Sequence, residues 1–331
     1  MKHKLAVTMG DPAGVGPELS LKLLAQWTSE SKTIPVLYGD LAVLERVAPK
    51  VGMEHVLQQI DVISVGQVTD ELTRPALVDL KVVEAKSFTP RRVNAICGQG
   101  AYAYISAAID AAMEGHVVGV VTGPINKESL QLAGVPYPGH TEIFADRTGI
   151  KNYCMVLTSE KITCALVTAH VGYAEVPSMI TFSRLNEVIE LTGKAMYRLR
   201  GRPAKLTVLG LNPHAGEHGL FGNGEEENII MPAIEHCKKF GYLLTGPLPP
   251  DTAFLPDRLA NTDAYICMYH DQGLIPLKTL AFDDAVNVTL GLPMVRTSVD
   301  HGTAFDIAWE GKASVNSFVA AYRMAEGLAG V

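Results

Sequence analysis

Short apolar segments of strand length alternate with longer amphipathic segments along this chain, and this alternation limits the folds that it can adopt. Apolar segments rich in Val, Leu, Ile or Tyr are "KLAVTM", "PVLYG", "VVGVVTG", "YCMVLT", "ITCALVTAH", "KLTVLGLNPH" and "DAYICMYHD". Helices are predicted between and after them, over residues 17–27, 99–114, 181–199, 225–240 and 313–326. Continuously apolar strands that alternate with helices predict an α/β protein with a mainly parallel sheet.

Length, charge and cysteine usage exclude several classes of protein. The 331 residues correspond to roughly two domains. The net charge of −7 argues against nucleic acid as a partner, so an anionic substrate would need a local cluster of Lys, Arg or backbone N–H groups. Five scattered cysteines without a C-x-x-C pair favour a reducing compartment. Because no apolar run suits a signal peptide or a membrane span, a cytoplasmic protein without a membrane partner is predicted.

Three of the predicted strands lead into a histidine, namely His170, His214 and His270. If these strands are parallel neighbours, the imidazoles meet at one edge of the sheet, where open α/β sheets bind ligands. Three histidines with an open coordination position form a known catalytic metal arrangement. The alternative is that each is a loop residue with a backbone hydrogen bond, since their spacing matches no recognised metal motif and His218 is a rival ligand.

Two glycine-containing turns follow predicted strands. The turn "TMGDPAGVGPE" at 8–18 matches neither G-x-G-x-x-G nor a Walker A sequence, so a structural turn is favoured over an anion site. The second turn, "VVTGPINKESL" at 120–130, is followed by "YPGHTEIF", in which His140 and Thr141 open a predicted helix. A helix start with these side chains suits a phosphate, and the alternative is a plain cap.

Further polar residues stand in rigid or apolar surroundings. Asp251, in "GPLPPDTAF", is either a partner of a metal-bound histidine or a helix cap. Lys278, Asn287 and Arg296 lie in apolar segments. The two cations either extend to the surface or capture a carboxylate or phosphate.

The segment "SVDHGTAFDIAWEGKAS" at 298–314 is the most specific piece of the chain. It contains His301, Gly302, Thr303 and Ala304, followed by Asp306 and Ile307. Gly302 permits close approach of the backbone to a ligand, and Asp306 has the chemistry to bind a pair of ribose hydroxyls.

Nine segments in order give the chain a resemblance to the 4-hydroxythreonine-4-phosphate dehydrogenase (PdxA) family. They are "GDPAGVGPE", "TGPINK", "GHTE", "TAH", "LNPHAGE", "GPLPPDT", "MYHDQGL", "NVTLGLP" and "RTSVDHGTAFDIA". The resemblance implies two α/β/α domains around a cleft, as in isocitrate and isopropylmalate dehydrogenases. The predicted division is residues 1–135 with 295–331 for the nucleotide domain, and 136–294 for the metal, substrate and dimerisation domain.

The resemblance also implies roles for individual residues. His170, His214 and His270 match the family's ligands for a divalent metal (Zn, Mg, Mn or Co), and His140, Thr141, Lys278, Asn287 and Arg296 match its substrate contacts. Residues 301–304, Asp306 and Ile307 match the NAD-binding segment of related dehydrogenases. Asp251 and Lys278 are the candidate catalytic residues. The family is dimeric, with an active site in the interdomain cleft that the neighbouring subunit completes.

The family has at least two branches. One oxidises 4-phosphooxy-L-threonine on the route to pyridoxal phosphate. The other oxidises 4-phospho-D-threonate or 4-phospho-D-erythronate to dihydroxyacetone phosphate and CO2. Trp309 and Glu310 depart from the Gly-Lys or Gly-Arg usual in the family, which favours the second branch. The rival classes are a metal-dependent phosphohydrolase, and a protein that binds a phospho-metabolite without turnover or transfers an acyl group to phosphate.

Overall fold

The computed structural model describes residues 2–281 and 284–331, and the chain divides into two compact units. Unit 1 comprises Met1–Ile150 and Leu292–Val331, and unit 2 comprises Lys151–Gly291. Both contain strands and helices in alternation, so the predicted α/β class is confirmed. The predicted division into a nucleotide domain and a metal domain stays a prediction.

Unit 1 is built on a parallel sheet. Its described strands are β1 (His3–Thr8), β2 (Thr33–Gly39), β3 (Asp61–Ile63), β4 (Ala76–Asp79), β5 (Gly119–Thr122) and β12 (Val295–Val299). Their order is β3-β4-β2-β1-β5-β12, and each neighbouring pair is parallel. Every residue of β2 and β5 is buried. Helices therefore cover both faces of these strands, which explains their continuously apolar sequences.

The helices of unit 1 connect these parallel strands. They are α1 (Gly16–Ala25), α2 (Leu41–Val51), α3 (Glu54–Leu57), α4 (Ala95–Met113), α5 (Lys127–Leu132), α6 (His140–Thr148) and α12 (Asn316–Ala329). Side chains that prefer the cap position begin two of them: Asn94 accepts a hydrogen bond from the backbone of Ile96 at the start of α4, and Asn126 does so from Ser129 at the start of α5. Residues 300–315 form an irregular segment ahead of α12.

Unit 2 has a mixed set of strands. They are β6 (Cys154–Thr158), β7 (Thr163–Leu166), β8 (Lys205–Leu209), β9 (Leu243–Leu248), β10 (Ala264–Cys267) and β11 (Val286–Leu290), in the order β11-β6-β7-β10-β8-β9. The pairs β11–β6 and β6–β7 are antiparallel, whereas β7–β10, β10–β8 and β8–β9 are parallel. The parallel part of the sheet brings the carboxyl ends of four strands to one edge.

The helices of unit 2 lie between its strands, and two of them correspond to the helices predicted over 181–199 and 225–240. They are α7 (Val176–Met179), α8 (Phe182–Arg200), α9 (Met231–Lys239), α10 (Pro256–Ala260) and α11 (His270–Leu280). The helix predicted over 225–240 begins with a π-helical turn, Glu226–Ile230, that runs directly into α9. Over residues 2–281 and 284–331, the helices are too short or too polar to cross a membrane.

Two helices of unit 1 approach each other closely because α4 has a glycine at the contact. A Cβ atom on Gly98 would lie 2.0 Å from the carbonyl oxygen of Ser129 in α5. No rotamer change relieves such a contact, because the backbone fixes the position of Cβ and the oxygen is itself a backbone atom.

We therefore expect Gly98→Ala to lower the stability of the fold, although alanine is the better helix former by about 1 kcal/mol. Overpacking against a fixed backbone should reduce the free energy of unfolding by about 2 kcal/mol, measured by urea denaturation. The control is Gln99→Ala, at the neighbouring exposed position, which should be almost neutral. A Gly98→Ala variant as stable as the wild-type protein would contradict the close packing.

Candidate functional site

The three histidines singled out by the sequence follow three neighbouring parallel strands of unit 2. β7, β10 and β8 are adjacent in that order. His170 lies four residues beyond the end of β7, His270 is the first residue of α11 just after β10, and His214 lies five residues beyond the end of β8. The topology thus places all three beyond the same edge of the sheet, where ligands bind in α/β folds.

Two of these imidazoles are in contact. The ring centroids of His170 and His270 are 5.6 Å apart. Nδ1 of His270 lies 2.7 Å from Oδ1 of Asp271, and the hydroxyl of Tyr173 donates to the other oxygen of the same carboxylate. These hydrogen bonds lower the pKa of Asp271, first through Tyr173 and then through His270. Since a carboxylate only accepts, Nδ1 of His270 donates this hydrogen bond, which leaves Nε2 as the ring nitrogen available to a metal, the arrangement common in metal-binding histidines.

His214 is placed differently. Its ring stacks on Phe221 with a centroid distance of 6.0 Å, and every residue from His214 to Gly219 has a positive φ. Within the part of the chain that the structure describes, no three His, Cys, Asp or Glu side chains form a group arranged to hold a metal ion. The donor chemistry of His170 and His270 fits a divalent transition metal, and His214 as the third ligand stays a prediction.

A buried glutamate holds the segment that leads into His214. The carboxylate of Glu226, only 1% exposed, accepts hydrogen bonds from the backbone N–H groups of Leu211 and Asn212, each at 2.8 Å, and from Nδ2 of Asn212 at 3.0 Å. A Cβ on Gly216 would approach this carboxylate to 2.7 Å. These contacts offset the cost of a left-handed turn, which is about 1–2 kcal/mol for each non-glycine residue.

A buried glutamine connects the ends of two site-forming strands. Nε2 of Gln272 donates to the carbonyl of Gly210 beyond β8 at 2.7 Å, and its Oε1 accepts from the N–H of Met268 beyond β10 at 2.6 Å. Sequence reasoning missed Gln272, Glu226 and Asp271. Asp271 had a signal, since it directly follows a candidate ligand, whereas burial of the other two depends on tertiary contacts.

The remaining candidates of unit 2 lie around the same strands. Asp251 is exposed and lies three residues beyond the end of β9, the neighbour of β8. Lys278 lies in the last turn of α11 and is half-buried. Asn287 lies in β11, and among the described residues its buried Oδ1 has no hydrogen-bond partner. An unsatisfied buried acceptor of this kind is costly unless a ligand binds to it.

In unit 1, His140 and Arg296 are close enough to affect each other electrostatically. Burial, the nearby Arg296 guanidinium and a weaker opposing hydrogen bond with Gly123 place the pKa of His140 well below its usual value, so the ring is neutral. Its buried Nε2 is without a hydrogen-bond partner among the described residues. Arg296 is 2% exposed, and its Nη2 donates to Oγ1 of Thr122 at 3.1 Å. Burial lowers the pKa of Arg296 to about 10, so its guanidinium stays charged at neutral pH. Thr141 follows His140 in the first turn of α6.

The predicted cofactor segment also belongs to unit 1. His301, Gly302 and Asp306 are exposed, and Thr303 is buried. Ala304 has a φ of 40°, a left-handed conformation that is strained for a residue other than glycine. Ile307 donates its N–H to the carbonyl of Ala304, which closes the turn that carries Asp306. The carboxylate of Asp306 is thus available to a ligand in solution.

Known proteins resemble this chain over nearly its full length. The model of the family described as "Pyridoxal phosphate biosynthetic protein PdxA" matches residues 31–325. The 4-hydroxythreonine-4-phosphate dehydrogenase of Desulfosudis oleivorans is 43% identical over 97% of this chain and 94% of the relative. The D-threonate 4-phosphate dehydrogenase of Salmonella typhimurium is 39% identical over 98% of both chains. A crystal structure of 4-hydroxythreonine-4-phosphate dehydrogenase from Klebsiella pneumoniae superposes with a TM-score of 0.84 at 37% identity, covering 99% of this chain and 100% of that one.

The contact between His270 and Asp271 predicts a measurable effect on metal affinity. Asp271→Asn removes the charged acceptor of the hydrogen bond from Nδ1 of His270, and changes of this kind lower metal affinity by about tenfold or more. Zn²⁺ affinity should be measured by competition with a chromogenic chelator. The control is Asp257→Asn in α10, an exposed residue, which should bind Zn²⁺ as the wild-type protein does. Equal affinities for both variants would show that Asp271 does not support a metal ligand.

Proposed function

Because the chain belongs to the PdxA family of pyridoxal phosphate biosynthetic proteins, we propose that it is an NAD- and divalent-metal-dependent dehydrogenase that acts on a 4-phosphorylated four-carbon hydroxy acid. The reaction oxidises the C3 hydroxyl and then releases CO2 from the resulting β-keto acid. The observation that carries this proposal is the full-length similarity to dehydrogenases named for two such acids. The paired imidazoles beyond β7 and β10 support it.

His170, His214 and His270 would hold the divalent metal. When bound, the metal lowers the pKa of the substrate hydroxyl and stabilises the negative charge that develops as CO2 leaves. The hydrogen bond with Asp271 orients the ring of His270 for this role. Three imidazole ligands favour zinc or another transition ion over magnesium, and magnesium also serves where the substrate supplies oxygen atoms.

NAD is the proposed oxidant, and the turn at 301–307 is its proposed site. When bound, NAD accepts the hydride that leaves C3 of the substrate. The exposed carboxylate of Asp306 suits a ribose hydroxyl and would repel a 2′-phosphate, which favours NAD over its phosphorylated form. His301, Gly302, Thr303 and Ala304 form the backbone of the site, and Ile307 closes the turn.

The anionic substrate requires cationic and hydrogen-bonding groups, and the chain offers several. Arg296 keeps its charge despite burial and suits bidentate capture of a phosphate or carboxylate. His140 and Thr141 add hydrogen-bonding groups at the start of α6. Lys278 supplies a second cation, and the buried Oδ1 of Asn287 suits a hydroxyl of the substrate.

Homodimerisation with a shared active site, as the family resemblance implies, is part of this proposal.

Two substrates within this class are candidates. The replacement of the family's usual glycine by Trp309, followed by Glu310, favours 4-phospho-D-threonate or 4-phospho-D-erythronate, with dihydroxyacetone phosphate as product. The family description and the relative from Desulfosudis oleivorans favour 4-phosphooxy-L-threonine.

A direct comparison of the two substrates tests this assignment. We expect the purified protein with Zn²⁺, Mn²⁺ or Mg²⁺ to form NADH faster from 4-phospho-D-threonate than from 4-phosphooxy-L-threonine, with kcat/KM higher by about tenfold or more. NADH absorbance measures the rate. A higher kcat/KM for 4-phosphooxy-L-threonine would assign the protein to that substrate instead. Metal-dependent release of inorganic phosphate without NADH formation would instead support a phosphohydrolase.

The proton donor and acceptor require a group that reaches solvent. Asp251, exposed at the edge formed by β8 and β9, is the proposed general acid and base, and Lys278 is the second catalytic candidate. We expect Asp251→Asn to lower kcat by about 10²-fold or more while the affinity for Zn²⁺ is unchanged. The exposed Asp257→Asn is the control. Near-normal turnover of Asp251→Asn would exclude this residue from proton transfer.

A further inference from the structure

The glycine-containing turn at 8–18 contacts the segment proposed to bind NAD. The N–H of Val15 donates to the carbonyl of Thr303 at 3.0 Å, and Nε1 of Trp309 donates to the carbonyl of Pro12 at 3.1 Å. A Cβ on Gly14 would lie 2.8 Å from Cβ of Thr303, so only glycine permits this approach. The turn at 8–18, which matches no phosphate-binding motif, therefore packs against residues 303–309.

A buried ion pair extends this contact to residues 311–313. Glu18 in α1 has a fully buried side chain, and its carboxylate accepts hydrogen bonds from the N–H groups of Ala313 at 2.9 Å and Gly311 at 3.2 Å. Nζ of Lys22 donates to Oε1 of Glu18 at 2.9 Å and to the carbonyls of Gly311 at 2.9 Å and Ala313 at 2.6 Å. An ammonium group has three protons, and all three have acceptors here.

The ion pair of Glu18 and Lys22 needs the backbone of residues 311–313 to complete its hydrogen bonds. A buried carboxylate and a largely buried ammonium are costly unless their hydrogen bonds are completed. The backbone of Gly311 and Ala313 supplies two donors to Glu18 and two acceptors to Lys22, so four of the five hydrogen bonds involve the segment. Because replacing a buried pair by apolar residues is often neutral for stability, the pair's particular contribution is geometric.

Further contacts hold the residues between Phe305 and the backbone at 311–313. Trp309 packs edge-to-face on Phe88 at a centroid distance of 5.9 Å, and Arg46 lies over its ring at 5.0 Å. Nε of Arg91 donates to the carbonyl of Phe305 at 2.9 Å, and its Nη2 donates to the carbonyl of Asp306. The segment is therefore held at both ends and in the middle.

We infer that Glu18 and Lys22 are positioning residues that hold the 301–313 segment in the conformation which receives the adenosine part of NAD. The inference rests on the proposed function, because that function makes this segment the NAD site. Neither residue needs to touch the cofactor. Without the pair, the segment samples other conformations, and NAD must then bind a smaller competent population.

Isothermal titration calorimetry with NAD tests the positioning role in three variants: Glu18→Gln, Lys22→Met and the double variant. We expect the Kd for NAD to rise about tenfold in each single variant, since a hydrogen-bonded charge is lost. The double variant should resemble the single ones, because the two residues act as a unit. The KM for NAD should rise accordingly, while kcat at saturating NAD and the Zn²⁺ affinity stay within about twofold of the wild-type values.

The matched control is the exposed pair of Glu190 and Lys194 in α8, which has the same spacing of four residues. Glu190→Gln and Lys194→Met should leave the Kd for NAD unchanged, because this pair belongs to unit 2, whereas the 301–313 segment belongs to unit 1. If the Glu18 and Lys22 variants fold and bind NAD as tightly as these controls, the positioning role is wrong. If the wild-type protein itself binds no NAD, the proposed function fails together with the inference.

Amide hydrogen exchange of the wild-type protein provides a test that does not depend on folding of the variants. The N–H groups of Gly311 and Ala313 lie outside helices and strands, yet both donate to Glu18. We expect them to exchange about 10²-fold or more slowly than unprotected amides, and more slowly still with NAD bound. Exchange at the rate of an unstructured peptide would overturn the inference.

Discussion

The parallel hydrogen bonding of neighbouring strands is the constraint on which the proposed sites depend. Strands such as β2 and β5 are buried along their whole length, so a polar side chain within them would lose its hydration. Polar and ionisable residues are therefore concentrated where strands end. In unit 2 the register of β7, β10 and β8 aligns three such ends, and this alignment brings the imidazoles of His170 and His270 into contact.

In both units, polar side chains form hydrogen bonds to the backbone of loops that follow strands and so hold these loops in place. In unit 2, Glu226 and Gln272 are buried and bind backbone groups beyond β8 and β10. In unit 1, Glu18 and Lys22 bind the backbone of residues 311–313. Each of these side chains satisfies main-chain groups that no helix or strand satisfies, and the loop in turn satisfies the buried side chain. The loops that carry the proposed sites are thereby fixed without regular secondary structure.

The sequence predicts the strands β1, β2, β5, β6, β7, β8 and β10 and the helices α1, α4, α6, α8, α9 and α12, because continuous apolar runs and amphipathic periods are local signals. It also places His170, His214 and His270 at strand ends. It does not predict the strands β3, β4, β9, β11 and β12, nor helices such as α2 and α11, each of which contains a proline, since tertiary packing outweighs their weak local preference. The left-handed turn at 214–219 was not predictable either. Its cost is offset by Glu226, which lies in a different segment of the chain.

Trp309 shows how a departure from the family pattern has a physical consequence. Its φ of 65° is a conformation that favours glycine, the residue usual in the resembling family. The strain is offset because the indole is 5% exposed, packs on Phe88, and donates to the carbonyl of Pro12. These contacts hold a residue of the proposed cofactor segment against Pro12 and Phe88. The replacement of glycine by tryptophan therefore acts first on the rigidity of the proposed NAD site.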